Sequence, residues 1–202
     1  FHDGSEFLIE SRTLSITPSL GVLARCRERV GRGGRCALLL GQTGPSTPEV
    51  GPELDQLSRV LRGQVVRRFE GAEATLEAYF REAGDAAYIH LTSHGFFHTE
   101  RPRLSGIRLA DRWLHAHDVV RLPLKADLVV LSACQSGLSM ALEGEEWLGL
   151  PRAFLKAGAA RVLASQWDVD DRATRLLMGR FIEAWMGDSS GGSRVSGRGK
   201  RP

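Results

Sequence analysis

Three short, almost wholly apolar runs constrain this chain more than any other feature: Cys36 to Gly41, Ala86 to Leu91 and Ala126 to Ala133. A run without polar alternation belongs to a strand buried on both faces, as in a parallel sheet covered on each side. Segments of helical spacing separate the runs. Pro48 to Arg62 carries Val50, Leu54, Leu57 and Leu61 at such intervals, and Ala72 to Ala83 repeats the pattern with Leu76, Tyr79 and Phe80. Strands alternating with helices form βαβ units with right-handed crossovers, which leave helices on both faces of the sheet. The expected fold class is therefore α/β, a three-layer sandwich around a mostly parallel central sheet.

The rest of the chain fits the same scheme. Phe7 to Thr17 alternates loosely and predicts a strand or hairpin, and Pro18-Ser19-Leu20 opens a helix to about Val30. Gln64 to Phe69 and Arg161 to Trp167 predict two further strands. Residues 107–109 and 113–115 predict a short hairpin, followed by one or two helical turns from His117 to Leu122. Trp147 to Ala157 reads as a crossover helix, and Asp170 to Met186 as a closing amphipathic helix capped by Asp170 or Asp171. One domain is expected over residues 1–186. Residues 187–202 are Gly, Ser and Arg without periodicity and are expected to form a disordered tail.

Composition narrows the function. With 202 residues, 42% of them apolar, the chain can close a sizeable core. The net charge of +3 invites a nucleic-acid reading, yet Arg194, Arg198, Lys200 and Arg201 against Asp188 put the whole surplus in the tail. The arginines at 25, 27, 29, 32 and 35 have no aromatic residues between them and read as a solvated helix face and loop rather than a phosphate-binding stripe. Binding of nucleic acid by this domain is not expected. No apolar stretch approaches the length of a membrane span, and no membrane association is expected. Three cysteines, Cys26, Cys36 and Cys134, have no CxxC spacing and suggest a reducing cytoplasm, not a disulfide framework or thiolate zinc site. The chain opens on Phe1 with no basic segment leading into an apolar one, so a piece of a larger protein without a signal peptide is expected.

Two reactive residues stand at the ends of the buried runs. His94, followed by Gly95, closes the run ending at Ser93; Cys134 closes the run ending at Ala133. In parallel α/β sheets the loops at the carboxyl ends of the strands build the site, and a thiol beside an imidazole there can work as nucleophile and base. Cys134 would attack a carbonyl, His94 would take and return the proton, and the amides of Gly95 and Cys134 could face the oxyanion. Gly95 lets substrate approach without a Cβ in the way. Each residue also has a plain structural reading: Cys134 as a small buried residue ending a strand, His94 as a turn residue. Their joint placement favours the catalytic pair.

His90 lies inside its strand and reads as a packing residue, as do Cys26 and Cys36. His98, His115 and His117 have no carboxylate or thiolate spaced to complete a metal site with His94, so neither metal nor cofactor is expected. Glu143, Glu145 and Glu146 read as complements to a helix N-terminus. Asp168 or Asp170 could accept a basic P1 side chain through a bidentate pair, with helix capping as the alternative.

Four blocks, in order, resemble the CHAT domain: residues 90–96 (His-Leu-Thr-Ser-His-Gly-Phe), 128–137 (Leu-Val-Val-Leu-Ser-Ala-Cys-Gln-Ser-Gly), 149–159, and 162–171 (Val-Leu-Ala-Ser-Gln-Trp-Asp-Val-Asp-Asp). Residues 18–20 and 71–75 are similar to the amino-terminal half of that family. The resemblance covers the chain to about Met186 and implies a caspase-like sandwich in which His94 and Cys134 form the dyad. It places Ser165, Gln166 and Trp167 beside the substrate backbone. It further implies an endopeptidase that cuts a partner protein and is fused to tetratricopeptide or other sensor repeats, acting in bacterial immunity or programmed cell death. Residues 132–137 are similar in kind to the caspase Gln-Ala-Cys-x-Gly motif but differ at Ser132 and Ser136, so the aspartate-selecting arginines do not carry over. Gln166 replaces the family's usual Leu. After Gly187 the Gly/Ser/Arg stretch stands where the family has its last helix and final strand, which supports the alternative of an inactive CHAT-fold scaffold.

Overall fold

The computed structural model describes residues 2, 4–12, 14–31, 34–96, 98, 100–133, 149–165 and 169–190. The amino-terminal segment forms a short helix, α1 (Leu8–Ser11), instead of the expected strand or hairpin. The Glu10 carboxylate accepts the Phe7 N–H at 3.2 Å, a local cap that favours a helical turn. Phe7 and Ile9 are 55% and 69% exposed, so their alternation marks no buried face. α2 (Leu20–Arg29) starts where Ser19 accepts the Val22 N–H on its hydroxyl, at 3.2 Å.

The central elements follow as β1 (Cys36–Gly41), α3 (Val50–Val60), β2 (Val65–Glu70), α4 (Leu76–Glu82) and β3 (Ala86–Thr92). Next come the two-residue β4 (Gly95–Phe96), β5 (Gly106–Arg108), β6 (Trp113–His115) and α5 (Ala116–Val119). β7 (Leu128–Ser132), α6 (Leu150–Ala157), β8 (Val162–Ala164) and α7 (Asp171–Ser190) complete the described chain. α7 thus carries the first four residues of the expected tail; residues 191–202 lie outside the described residues.

β2-β1-β3-β7-β8 form a five-stranded sheet in which every pairing is parallel. β1 is buried along its whole length, as its apolar sequence demands. Side chains alternate between two cores. Ile89, Leu91, Val129 and Leu131 face α4, α5 and α6, with Tyr79 and Phe154 fully buried among them. Tyr88, Leu128 and Val130 face the other way, toward Leu54 and Leu57 of α3 and Ile182 of α7. The molecule is an α/β sandwich with helices on both sheet faces.

β4, β5 and β6 form a separate antiparallel sheet. The β5–β6 hairpin follows from its sequence pattern. β4 does not, because two residues carry no periodicity.

Gly158 ends α6 at φ +130, and an added Cβ there would lie 2.3 Å from the Leu124 carbonyl oxygen. Leu124 donates to the Ala157 carbonyl at 2.8 Å, and Ala160 to that of Ala126 at 2.9 Å, so this turn ties α6 to the start of β7. Gly158→Ala is expected to destabilise the fold by about 1–3 kcal/mol from backbone strain, with the clash in addition. Urea denaturation measures it.

Candidate active site

The carboxyl ends of β1, β3 and β7 are pinned together. Thr92 pairs with Ser132 in register, Gln42 donates to the Thr92 carbonyl at 3.1 Å, and Ser93 to that of Ser132 at 3.3 Å. β3 therefore leads toward His94 at the same level of the sheet at which β7 leads into Ala133, the residue before Cys134. Cys134 lies outside the described residues, as do Trp167 and Asp168 of the substrate-side expectation, Gln166, and Glu143, Glu145 and Glu146.

His94 is exposed at the mouth of a cleft whose walls include Ser46, Glu49, Ser93, Ala133 and Asp171. Its Nε2 lies 2.9 Å from the Ser46 hydroxyl. Ser46 stands on the β1–α3 loop, which Thr47 shapes by donating its N–H to the Gly44 carbonyl and its hydroxyl to that of Gln42, both at 3.0 Å. Sequence assigned no residue to orient His94. Ser46 lies within hydrogen-bond reach of its imidazole, and nothing in the local sequence distinguishes it from any loop serine.

Gly95 enters the small sheet opposite Ile107. Arg108 donates to the His94 carbonyl at 2.9 Å, which makes 94 and 108 the hydrogen-bonded pair and 95 and 107 the non-hydrogen-bonded one. The Gly95 N–H is thereby left out of the β4–β5 ladder.

The other expected site residues sit as follows. Ser165 follows β8 and donates its hydroxyl to the Ala133 carbonyl at 2.7 Å, linking the β8 end to the residue before Cys134. Asp170 accepts the Ala173 N–H on Oδ1 at 2.8 Å and caps α7. Arg175 on α7 reaches Glu49 at 2.6 Å, tethering the helix walls of the cleft.

The cleft is also lined by Glu53, Thr92 and Ser132, which belong to a buried polar cluster that the sequence reading missed. Glu53 on α3 takes a place in the helix's buried stripe, and its Oε1 lies 3.0 Å from His90 Nε2. The same oxygen accepts the Ser132 hydroxyl at 2.8 Å, and Oε2 accepts the Thr92 hydroxyl at 2.6 Å. Tyr88 OH meets His90 Nδ1 at 2.7 Å. His90 is thus fully buried, as expected, but hydrogen-bonded on both nitrogens. Burial pushes the Glu53 carboxyl up, yet the His90 imidazole and the hydrogen bonds from His90, Thr92 and Ser132 outweigh it and hold the pKa below the ordinary value. The signal was present: tyrosine, histidine and threonine alternate down one face of an otherwise apolar strand.

Among the described residues, no three His, Cys, Asp or Glu side chains are placed to hold a metal ion, and no helix is long and apolar enough to cross a membrane. His115 stacks on His117 at 5.3 Å and its Nδ1 meets the Leu104 carbonyl, so these imidazoles serve the small sheet and its flanks. A larger apolar groove, lined by residues such as Ile16, Val22, Leu163 and Phe181, holds none of the expected site residues.

A parallel five-stranded sheet, helices on both faces and a histidine at the carboxyl end of β3 define a caspase-like α/β sandwich. The chain matches the CHAT domain over residues 1–196 and belongs to that family. The family sits in the caspase-like clan of cysteine peptidases, and its domains typically occur with tetratricopeptide-like sensors. None of the curated proteins compared with the chain matches it.

Proposed function

We propose that the chain is a cysteine endopeptidase whose dyad is Cys134 and His94. The observation that carries this reading is the Thr92–Ser132 pairing, which sets side by side the strand ends leading into the two residues. The Cys134 sulfur, as thiolate, adds to the peptide carbonyl, and the tetrahedral oxyanion takes hydrogen bonds from the amides of Gly95 and Cys134. As the C–N bond breaks, His94 gives its proton to the leaving amine. Water, deprotonated by the same imidazole, then hydrolyses the thioester and returns the free thiol.

Ser165 and Trp167 would run beside the substrate backbone. With one oxygen of Asp170 committed to the α7 cap, Asp168 is the carboxylate proposed for a basic P1 side chain. The substrate is a partner protein, and a sensor module or partner triggers cleavage in the cytoplasm, as the family likeness suggests for immunity or cell death. A peptide library tests the reading with the intact protein and its Cys134→Ala variant. Cleavage by the first and none by the second is expected; equal cleavage by both would remove the dyad. An acidic or apolar P1 preference would remove the role of Asp168, and an inert wild type that no partner activates would leave a scaffold.

A further inference from the structure

We infer that Glu53 is the positioning residue of the dyad: a buried carboxylate that clamps the two strands leading into His94 and Cys134. The inference rests on the peptidase reading above and adds to it a residue from a different layer of the fold. Thr92 lies two residues before His94, and Ser132 two before Cys134. Each donates its hydroxyl to Glu53, to opposite oxygens of one carboxylate, at 2.6 and 2.8 Å. The carboxylate itself is fixed, because His90 Nε2 holds Oε1 from β3 and Tyr88 holds the far side of the imidazole.

The hydrogen-bond sense is consistent throughout. An ionised carboxylate only accepts, so His90 Nε2 and both hydroxyls donate to it, and the Tyr88 hydroxyl pairs with His90 Nδ1 on the far side of the ring. Every polar group of the cluster has a partner, as a buried network requires. Without a carboxylate at 53, the side chains of Thr92 and Ser132 would lose their shared acceptor, and β3 and β7 would be joined only by backbone at the level of the site. Side chains held by buried hydrogen-bond networks lose little precision, and a dyad needs its partners within a few tenths of an ångström.

A field effect and a positioning effect of Glu53 have opposite signs, which makes the inference testable. The groups around the carboxylate are His90 and Tyr88 on β3, Glu49 with its Arg175 partner, and His94 and Asp171 in the cleft above. If Glu53 acted only through its charge, its removal would favour the Cys134 thiolate and shift alkylation toward lower pH. If it holds the dyad in register, its removal loosens the thiolate–imidazolium pair and returns the thiol toward an ordinary cysteine.

The test is the pH profile of Cys134 alkylation by iodoacetamide, followed on the Cys134 peptide by mass spectrometry, in the intact protein. Glu53→Gln and Thr92→Val are expected to slow alkylation at pH 6 by about tenfold or more, with rates converging on wild type near pH 9.5. Thr92→Ser, which keeps the hydroxyl, is expected to restore the wild-type profile; its melting temperature and that of Thr92→Val show that the fold persists. A reactive wild type with unmoved profiles in Glu53→Gln and Thr92→Val, or profiles moved to lower pH, overturns the clamp alone. A wild-type Cys134 no faster than free cysteine at pH 6 overturns the dyad and the clamp with it.

Discussion

His94→Ala is expected to lower kcat/KM for a cleaved peptide by about 10²- to 10⁴-fold, the range that a positioned acid–base group contributes. The loss is expected in kcat more than in KM, because in the proposed mechanism the imidazole moves a proton in the transition state and contributes little to holding substrate. His94 is exposed, and its described side-chain hydrogen bond goes to a loop serine, so the variant is expected to keep the wild-type melting temperature. Steady-state kinetics on a library-derived peptide, with a thermal melt alongside, separates the two effects. A fall smaller than about tenfold would mean that another group carries the proton.

Glu53→Ala is expected to cost about 3–5 kcal/mol of folding stability. The His90 N–H and the hydroxyls of Thr92 and Ser132 each lose their acceptor inside the protein, and an unsatisfied buried group costs about 1–3 kcal/mol. Against a total of about 5–15 kcal/mol for a domain, that is a large share. Glu53→Gln retains one acceptor oxygen and the side-chain volume and costs less. The gap between wild type and Glu53→Gln depends on pH with a definite sign. Because the Glu53 pKa is lower folded than unfolded, its stabilisation is complete above the ordinary carboxylate range and is lost as pH falls through the lower, folded value. Urea denaturation from pH 7 down to pH 3 should show the two curves approaching one another on the acid side. A constant gap would contradict an ionised Glu53.

The sheet was legible because burial on both faces leaves no room for polar residues in β1 and leaves few in β3 and β7. The helices α3 and α7 announced themselves through Leu54 and Leu57 and through the Asp170 cap. His94 could be placed at a strand end on the same grounds. What escaped has physical causes. α1 is decided by one local hydrogen bond to Glu10, not by the spacing of its exposed apolar residues. β4 is held by pairing with β5, a tertiary effect invisible in two residues. Ser46 meets His94 through a loop conformation set by Thr47. The burial of Glu53 on α3 depends on hydroxyls from strands 39 and 79 residues away along the chain, which its own helix does not reveal.

The most direct measurement is labelling of the intact protein by an electrophilic peptide, such as a chloromethyl ketone built on a cleaved sequence, with the adduct located by mass spectrometry. A single adduct on Cys134 is expected, formed rapidly by the wild type and slowly or not at all by His94→Ala, with the buried Cys26 and Cys36 unlabelled. Labelling of Cys134 at the same rate in both proteins, or none in the wild type under conditions where it cleaves peptide, would contradict a Cys134–His94 dyad.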